Sequence, residues 1–223
     1  MTSYPQYCTA QCLVALKNGT FHHDCPNAEA HGASTKLTFE AVIDDILKSV
    51  QIGQLKVIAG GNSAKCAAVR SLNYGHGVVV KLYEEDTEHY LYERELEIYN
   101  HLSDIQGIYV PVILGAFEWA LGAPSPFIIM SYGGLPLHRC TANDGLIDEL
   151  TKAAIAICAH GVVLDDSSPN NVLVHNKRVA VIDFESAFIV RPPSPAALER
   201  YKIEMESIAG QVRASGDLTI LLP

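Results

Sequence analysis

Leu164-Asp165-Asp166-Ser167-Ser168-Pro169-Asn170-Asn171 runs on through Val172-Leu173-Val174, the polar turn His175-Asn176-Lys177-Arg178, and Val179-Ala180-Val181-Ile182-Asp183-Phe184. Two short apolar runs joined by a polar turn predict an antiparallel hairpin. Asn171 enters its first strand and Asp183 leaves its second. In a tight hairpin those places lie opposite one another, about 5 Å apart. An amide oxygen and a carboxylate converging there form a hard, oxygen-rich site suited to Mg²⁺ and phosphate ligands rather than to a soft metal. Asp166, just upstream, is placed to act as a base or orienting carboxylate. The alternative is that these Asp and Asn residues are ordinary turn formers flanking a hairpin.

Upstream of the hairpin, a charged helix is expected over 86–102, with Leu91, Glu95, Ile98 and Leu102 on one stripe. Burying a carboxylate on such a stripe is unfavourable unless a cation meets it. Lys81 is the candidate, because it ends the run Val78-Val79-Val80 on a strand expected beneath the helix. The plainer alternative leaves Glu95 at a rim and Lys81 as a strand-end charge.

Farther out, Thr38 caps a helix on which Phe39, Val42, Ile43, Ile46, Leu47 and Val50 recur at helical spacing, ending near Gly53. Strand-like runs at 55–59, 66–72 and 77–83 predict a small antiparallel sheet, with further strands at 109–117 and 127–130. Gly133-Gly134 breaks the chain, and helices are expected over 145–160 and 196–214. Strands first and helices later indicate an α+β protein of two lobes. Three parts follow: a Cys/His-containing segment over 1–36, a strand-rich lobe with its leading helix over 37–132, and a short helical lobe over 133–223.

With 223 residues, 48% of them hydrophobic and 18% charged, the chain has a core to bury, which excludes disordered and collagen-like classes. A formal net charge of −9 is a poor basis for holding a phosphate backbone, so nucleic acid is not expected as a partner. No apolar run reaches membrane-span length and the first residues do not resemble a signal peptide. The expectation is an intracellular protein, cytoplasmic or nuclear, with no membrane partner. Six cysteines are too sparse for a disulfide scaffold, yet Cys8, Cys12 and Cys25 crowd the N-terminus with His31. A short pair followed by a distant pair fits one tetrahedral structural Zn²⁺, which would also hold together a segment short of apolar mass. His22 and His23 are competing ligands, and buried metal-free thiols are the alternative. Cys66, Cys140 and Cys158 read as small core hydrophobes.

The hairpin and helix constellations together resemble the protein-kinase-like fold. Val79-Val80-Lys81, Glu95, Asp166 with Asn171 five residues on, and Asp183-Phe184-Glu185 follow the order and spacing of the kinase signature set. A narrower likeness, through Tyr7-Cys8-Thr9-Ala10-Gln11-Cys12-Leu13, Cys25-Pro26-Asn27, His31, Gly107-Ile108-Tyr109-Val110-Pro111-Val112 and Ile182 to Ala187, is to the small kinase-like proteins of filamentous fungi. The resemblance implies an ATP- and Mg²⁺-dependent transfer of the γ-phosphate to a hydroxyl of a small molecule or protein. By that likeness Lys81 contacts the nucleotide phosphates and pairs with Glu95, Asp166 positions the acceptor hydroxyl, and Asn171 and Asp183 hold magnesium. Gly60 and Gly61 would lie in the phosphate-covering loop, and Met130, Ser131 and Gly133 in the adenine hinge.

The chain departs from the pattern in several places. Ala59 and Ala64 stand at two glycine positions of the loop, Leu164 at the usual histidine, Ser168 at the usual lysine and Glu185 at the last glycine of D-F-G. Only forty residues follow Asp183, with no A-P-E-like segment, so a truncated C-lobe is expected. These departures keep open a second possibility, a pseudokinase: a scaffold that binds nucleotide or a partner without phosphotransfer.

Overall fold

The computed structural model describes residues 7–31, 38–60, 64–83, 89–119, 125–140, 144–165 and 168–191, together with positions 195, 196, 199, 203, 207 and 210. The chain is α+β with antiparallel sheets. It divides into two compact units, Met1–Tyr92 with Val112–Tyr132, and Glu93–Pro111 with Gly133–Pro223.

In the first unit, α1 (Ala10–Lys17) starts at Thr9, whose hydroxyl accepts from the Cys12 amide, and α2 is the single turn Ala28–His31. The predicted Thr38 cap is formed: its hydroxyl accepts from the Ala41 amide at 3.2 Å and opens α3 (Phe39–Gln51). Such a cap contributes about 1 kcal/mol by satisfying an otherwise orphaned amide. Strands β1 (Lys56–Gly60), β2 (Ala64–Arg70), β3 (Gly77–Tyr83), β4 (Ile113–Trp119) and β5 (Ser125–Met130) form one antiparallel sheet in the order β1-β2-β3-β5-β4, with α4 (His89–His101) between β3 and β4 in sequence. β4 begins four residues later than the sequence pattern suggested. Gly107, at φ +77°, turns the preceding segment so that its amide donates to the Val110 carbonyl at 2.7 Å.

β3 is the centre of this sheet and is buried nearly throughout. Period-two alternation sends Val78 and Val80 to the face covered by α1 and α3, where they join Leu13, Val42, Ile46, Phe127 and Ile129 in one core. Each fully buried aliphatic side chain contributes about 1.5–3 kcal/mol to such a core. Cys8, Cys12, Cys25 and Leu16 belong to the same cluster, so the Cys/His segment is packed into the sheet's own hydrophobic core. Lys81 alternates with Val80 onto the opposite face.

In the second unit, α5 (Asp144–Ala159) buries Leu150, Ala153, Ala154 and Ile157. β6 (Leu135–Pro136), β8 (Val172–His175) and β9 (Arg178–Val181) form a small sheet in the order β6-β8-β9, and β7 (Val162–Val163) pairs with β10 (Phe188–Ile189). The predicted hairpin is β8–β9. Its turn is the two residues Asn176 and Lys177, at φ +49° and +65°, the left-handed pair that matches strand twist. At Pro195, Ala196, Glu199, Ile203, Ser207 and Gly210 the chain is helical; the rest of the helix expected over 196–214 lies outside the described residues. No helix among the described residues is long and apolar enough to cross a membrane.

Candidate functional site

The hairpin places its site residues one step away from the expected register. Val172 pairs with Val181 and His175 with Arg178, so Asn171 faces Ile182, whose amide donates to the Asn171 carbonyl at 2.9 Å. Asp183 lies one residue beyond, at φ +70°. Val174 opposite Val179 puts Asn171 opposite Ile182 whether the turn spans two residues or four, so the expected pairing with Asp183 was one residue out at the strand end. Asp183 stands two residues past the end of β9; the next residue, Phe184, is fully buried and stacks edge-on against Tyr99 with centroids 5.1 Å apart.

Glu95 sits on α4 with its side chain fully buried, on the stripe that also buries Ile98 and Leu102. Its carboxylate gathers with those of Asp183 and Glu185, the ligand oxygens all within 4.8 Å of one another. Three carboxylates at that spacing are a hard-oxygen donor set suited to a divalent cation. Asn171, buried at the hairpin entrance, has its amide held by the Ser168 carbonyl at 2.9 Å. Sequence reasoning brought Glu95 and Asp183 forward but treated Glu185 only as a lost glycine; its position two residues after Asp183 in a sharp turn was the available signal. Asp166 lies outside the described residues.

Lys81, in the first unit, is buried on β3 between Cys66 of β2 and Ile128 of β5, with its ammonium 5.2 Å from the centroid of the Tyr83 ring. Gly60 ends β1 opposite Lys65, where an added Cβ would meet nothing nearer than 4.0 Å. No steric need for glycine exists there, and Gly61 lies outside the described residues. Of the expected hinge groups, Met130 ends β5 and is paired with Val79 and Ile113. The Ser131 amide is committed within the fold: it donates to the Val112 carbonyl at 2.9 Å, while the Ser131 hydroxyl accepts from the Val112 amide at 2.9 Å. Gly133 belongs to the second unit and is held close to Leu173, whose side chain lies 2.7 Å from where a Cβ would stand.

The Cys/His segment builds a second centre. Cys8, Cys12, Cys25 and His31 are all buried, with their ligand atoms mutually within 4.8 Å. The Nε2 atom of His31 lies 3.4 Å from the Cys8 sulfur, 3.5 Å from that of Cys12 and 3.3 Å from that of Cys25. The His31 Nδ1 donates to the Tyr74 carbonyl at 2.8 Å, which leaves Nε2 facing the sulfurs. His22 and His23 take no part in this donor group. The neighbouring Cys12 and Cys8 side chains hold the Cys25 thiol far below its usual range, while contact with Cys25 and Cys8, and then burial, push Cys12 far up. Burial opposes a charge on His31, but the sulfurs of Cys25 and Cys8 outweigh it and hold the ring up to about 10. His76 stacks on His31 at 3.7 Å between centroids; burial pushes it down to about 4, with His31 adding to the effect. The cluster can hold a structural metal such as zinc. Cys158 is buried as expected of a core residue, whereas Cys66 and Cys140 are half-buried.

No family model matches the chain. The chain is similar to the protein named Meiotic driver SPOK2 of Podospora anserina, at 30% identity over 217 residues, 87% of this chain and 28% of that protein. It therefore spans well under a third of the length of the curated relative it matches.

Proposed function

We propose that the chain is an ATP- and Mg²⁺-dependent phosphotransferase with a two-lobed protein-kinase-like fold. The observation that carries this reading is the gathering of the Glu95, Asp183 and Glu185 carboxylates just past a hairpin entered by Asn171. A five-stranded antiparallel sheet with a buried lysine on its central strand supports it.

Asp183, Asn171 and Glu185 offer the oxygens for the cation, which when bound would neutralise charge on the phosphates. In this reading Lys81 binds phosphate oxygens as a fixed ammonium. The buried setting of its strand strengthens that contact, because an electrostatic interaction is worth more away from bulk water. Asp166 orients the acceptor hydroxyl, a positioning role that typically supplies much of the acceleration in phosphoryl transfer. The acceptor in this reading is a hydroxyl of a small molecule or of a protein.

The pseudokinase reading draws on one observation: the Ser131 amide, an expected hinge group, is already bonded to Val112. A thermal-shift titration with ATP and Mg²⁺ followed by a transfer assay separates the two. At a hundredfold excess over the dissociation constant, binding stabilises the fold by about 2.7 kcal/mol. Absence of any shift overturns nucleotide binding, and a shift without ATP turnover favours the scaffold. If turnover is present, Asp183→Asn should abolish it. Asparagine tolerates the positive φ of that position, so the change removes the charge and keeps the backbone. Lys81→Met and Asp166→Asn should lower turnover by at least two orders of magnitude. Full activity in all three variants would sink these assignments.

A further inference from the structure

We infer that Cys8, Cys12, Cys25 and His31 hold one structural Zn²⁺, and that Asn27 with the Tyr74–Gly77 turn forms the outer shell that fixes it. This inference is independent of the phosphotransfer reading.

The geometry of the donors carries the first half. Zn–S bonds of about 2.3 Å and a Zn–N bond of about 2.0 Å at tetrahedral angles place sulfur and nitrogen about 3.5 Å apart. The three S···N distances are 3.3, 3.4 and 3.5 Å, so His31 stands nearly equidistant from all three sulfurs, as the fourth vertex of a tetrahedron does. Thiolate and imidazole donors are soft and borderline, which selects zinc over magnesium or calcium. All four ligands are at most 5% exposed, so no open position is left for substrate or water, as befits a structural rather than a catalytic ion.

The outer shell carries the second half. The Cys8 sulfur accepts from the Gly77 amide at 3.3 Å and from the Asn27 side-chain amide at 3.6 Å. Asn27 is itself held, its Oδ1 accepting from Arg70 at 3.1 Å. The Tyr74 carbonyl accepts from the His31 Nδ1–H, and the Cys8 amide donates to the Gly77 carbonyl at 3.1 Å. Donors to a ligating sulfur offset the charge of a three-thiolate site and orient it. Gly75 completes the turn: it has φ +65°, and a Cβ there would stand 2.6 Å from the Ala30 Cβ, one residue before His31.

The test is metal analysis of the full chain purified without chelator. About one zinc per chain is expected, and Co²⁺ exchange should give the intense visible absorption of tetrahedral cobalt–thiolate. A folded chain with metal content near zero, with iron in place of zinc, or with a disulfide among Cys8, Cys12 and Cys25 overturns the site. The outer shell is read in Asn27→Ala, which leaves all four ligands in place and removes only the hydrogen bond to the Cys8 sulfur. Its zinc should be lost to a competing chelator at 10–100-fold lower chelator concentration than in the unchanged chain. Unchanged retention, with a Cys66→Ser control behaving like the parent, overturns the role given to Asn27.

Discussion

At the residue scale, two glycines that look alike in sequence differ in what the fold demands. Gly134 sits at φ +121°, and a Cβ there would come within 2.1 Å of the Val174 carbonyl oxygen of β8. That backbone region is nearly closed to side chains, and the clashing atom is main chain, so relaxation would have to move the β6–β8 pairing. Gly134→Ala should therefore lower stability by more than about 2 kcal/mol, measured as a denaturant midpoint shift at unchanged slope. Gly60→Ala meets open space and should stay within about 0.5 kcal/mol of the parent, apart from any effect on nucleotide affinity. Equal losses at the two positions would show that strand propensity rather than close approach decides both. Neither demand is written in the sequence, where both residues stand in glycine pairs.

At the element scale, the C-terminus of α5 carries a titrating clamp. His160 donates from Nε2 to the Asp104 carboxylate at 2.9 Å and from Nδ1 to the Ala156 carbonyl at 2.7 Å, and His101 donates to the His160 carbonyl at 2.7 Å. The Ala156 carbonyl and then Asp104 hold the His160 pKa above its ordinary value, and the His160 contact holds Asp104 below its own. A raised histidine pKa stabilises fully below about pH 6.5 and loses that contribution as pH climbs through the folded-state value. A lowered aspartate pKa stabilises above about pH 3.9 and loses it as pH falls through its folded-state value. The stability difference between the parent and Asp104→Asn should therefore be largest between about pH 4 and 6.5 and shrink toward pH 9, followed by thermal unfolding in matched buffers. A difference that grows with pH would reverse the assignment. Elements with strong periodicity were legible: α3 with its Thr38 cap, β3, α5 and the β8–β9 hairpin all stand within a residue or two of their expected positions. What escaped was set by close contacts. Asn171 faces Ile182 rather than Asp183, a one-residue difference at the end of the hairpin, and α1 was hidden because its apolar residues Leu13 and Leu16 are interleaved with the cysteines.

At the scale of the whole molecule, charge is the property that the sequence states most directly. Twenty-five acidic against sixteen basic residues leave a net charge of −9, with an isoelectric point near 5.4. Among the described residues, Arg94–Glu97 and Lys152–Glu149 are ion pairs between neighbouring helix turns with at least one partner well exposed, a kind worth well under 1 kcal/mol each. Net self-repulsion should then dominate the response of the fold to salt at neutral pH, because the Debye length shrinks from about 30 Å at 0.01 M to about 8 Å at 0.15 M. Raising sodium chloride over that range should raise the unfolding temperature at pH 7.5 and leave it nearly flat close to pH 5.4, where the repulsion vanishes. Zinc bound by three thiolates and one imidazole would leave this ordering intact, since such a site adds about one negative charge against nine. A fall in unfolding temperature with salt at pH 7.5 would mean that specific attractions, not net charge, govern the chain, and would direct attention to the buried carboxylates Asp45 and Glu95 as their centre.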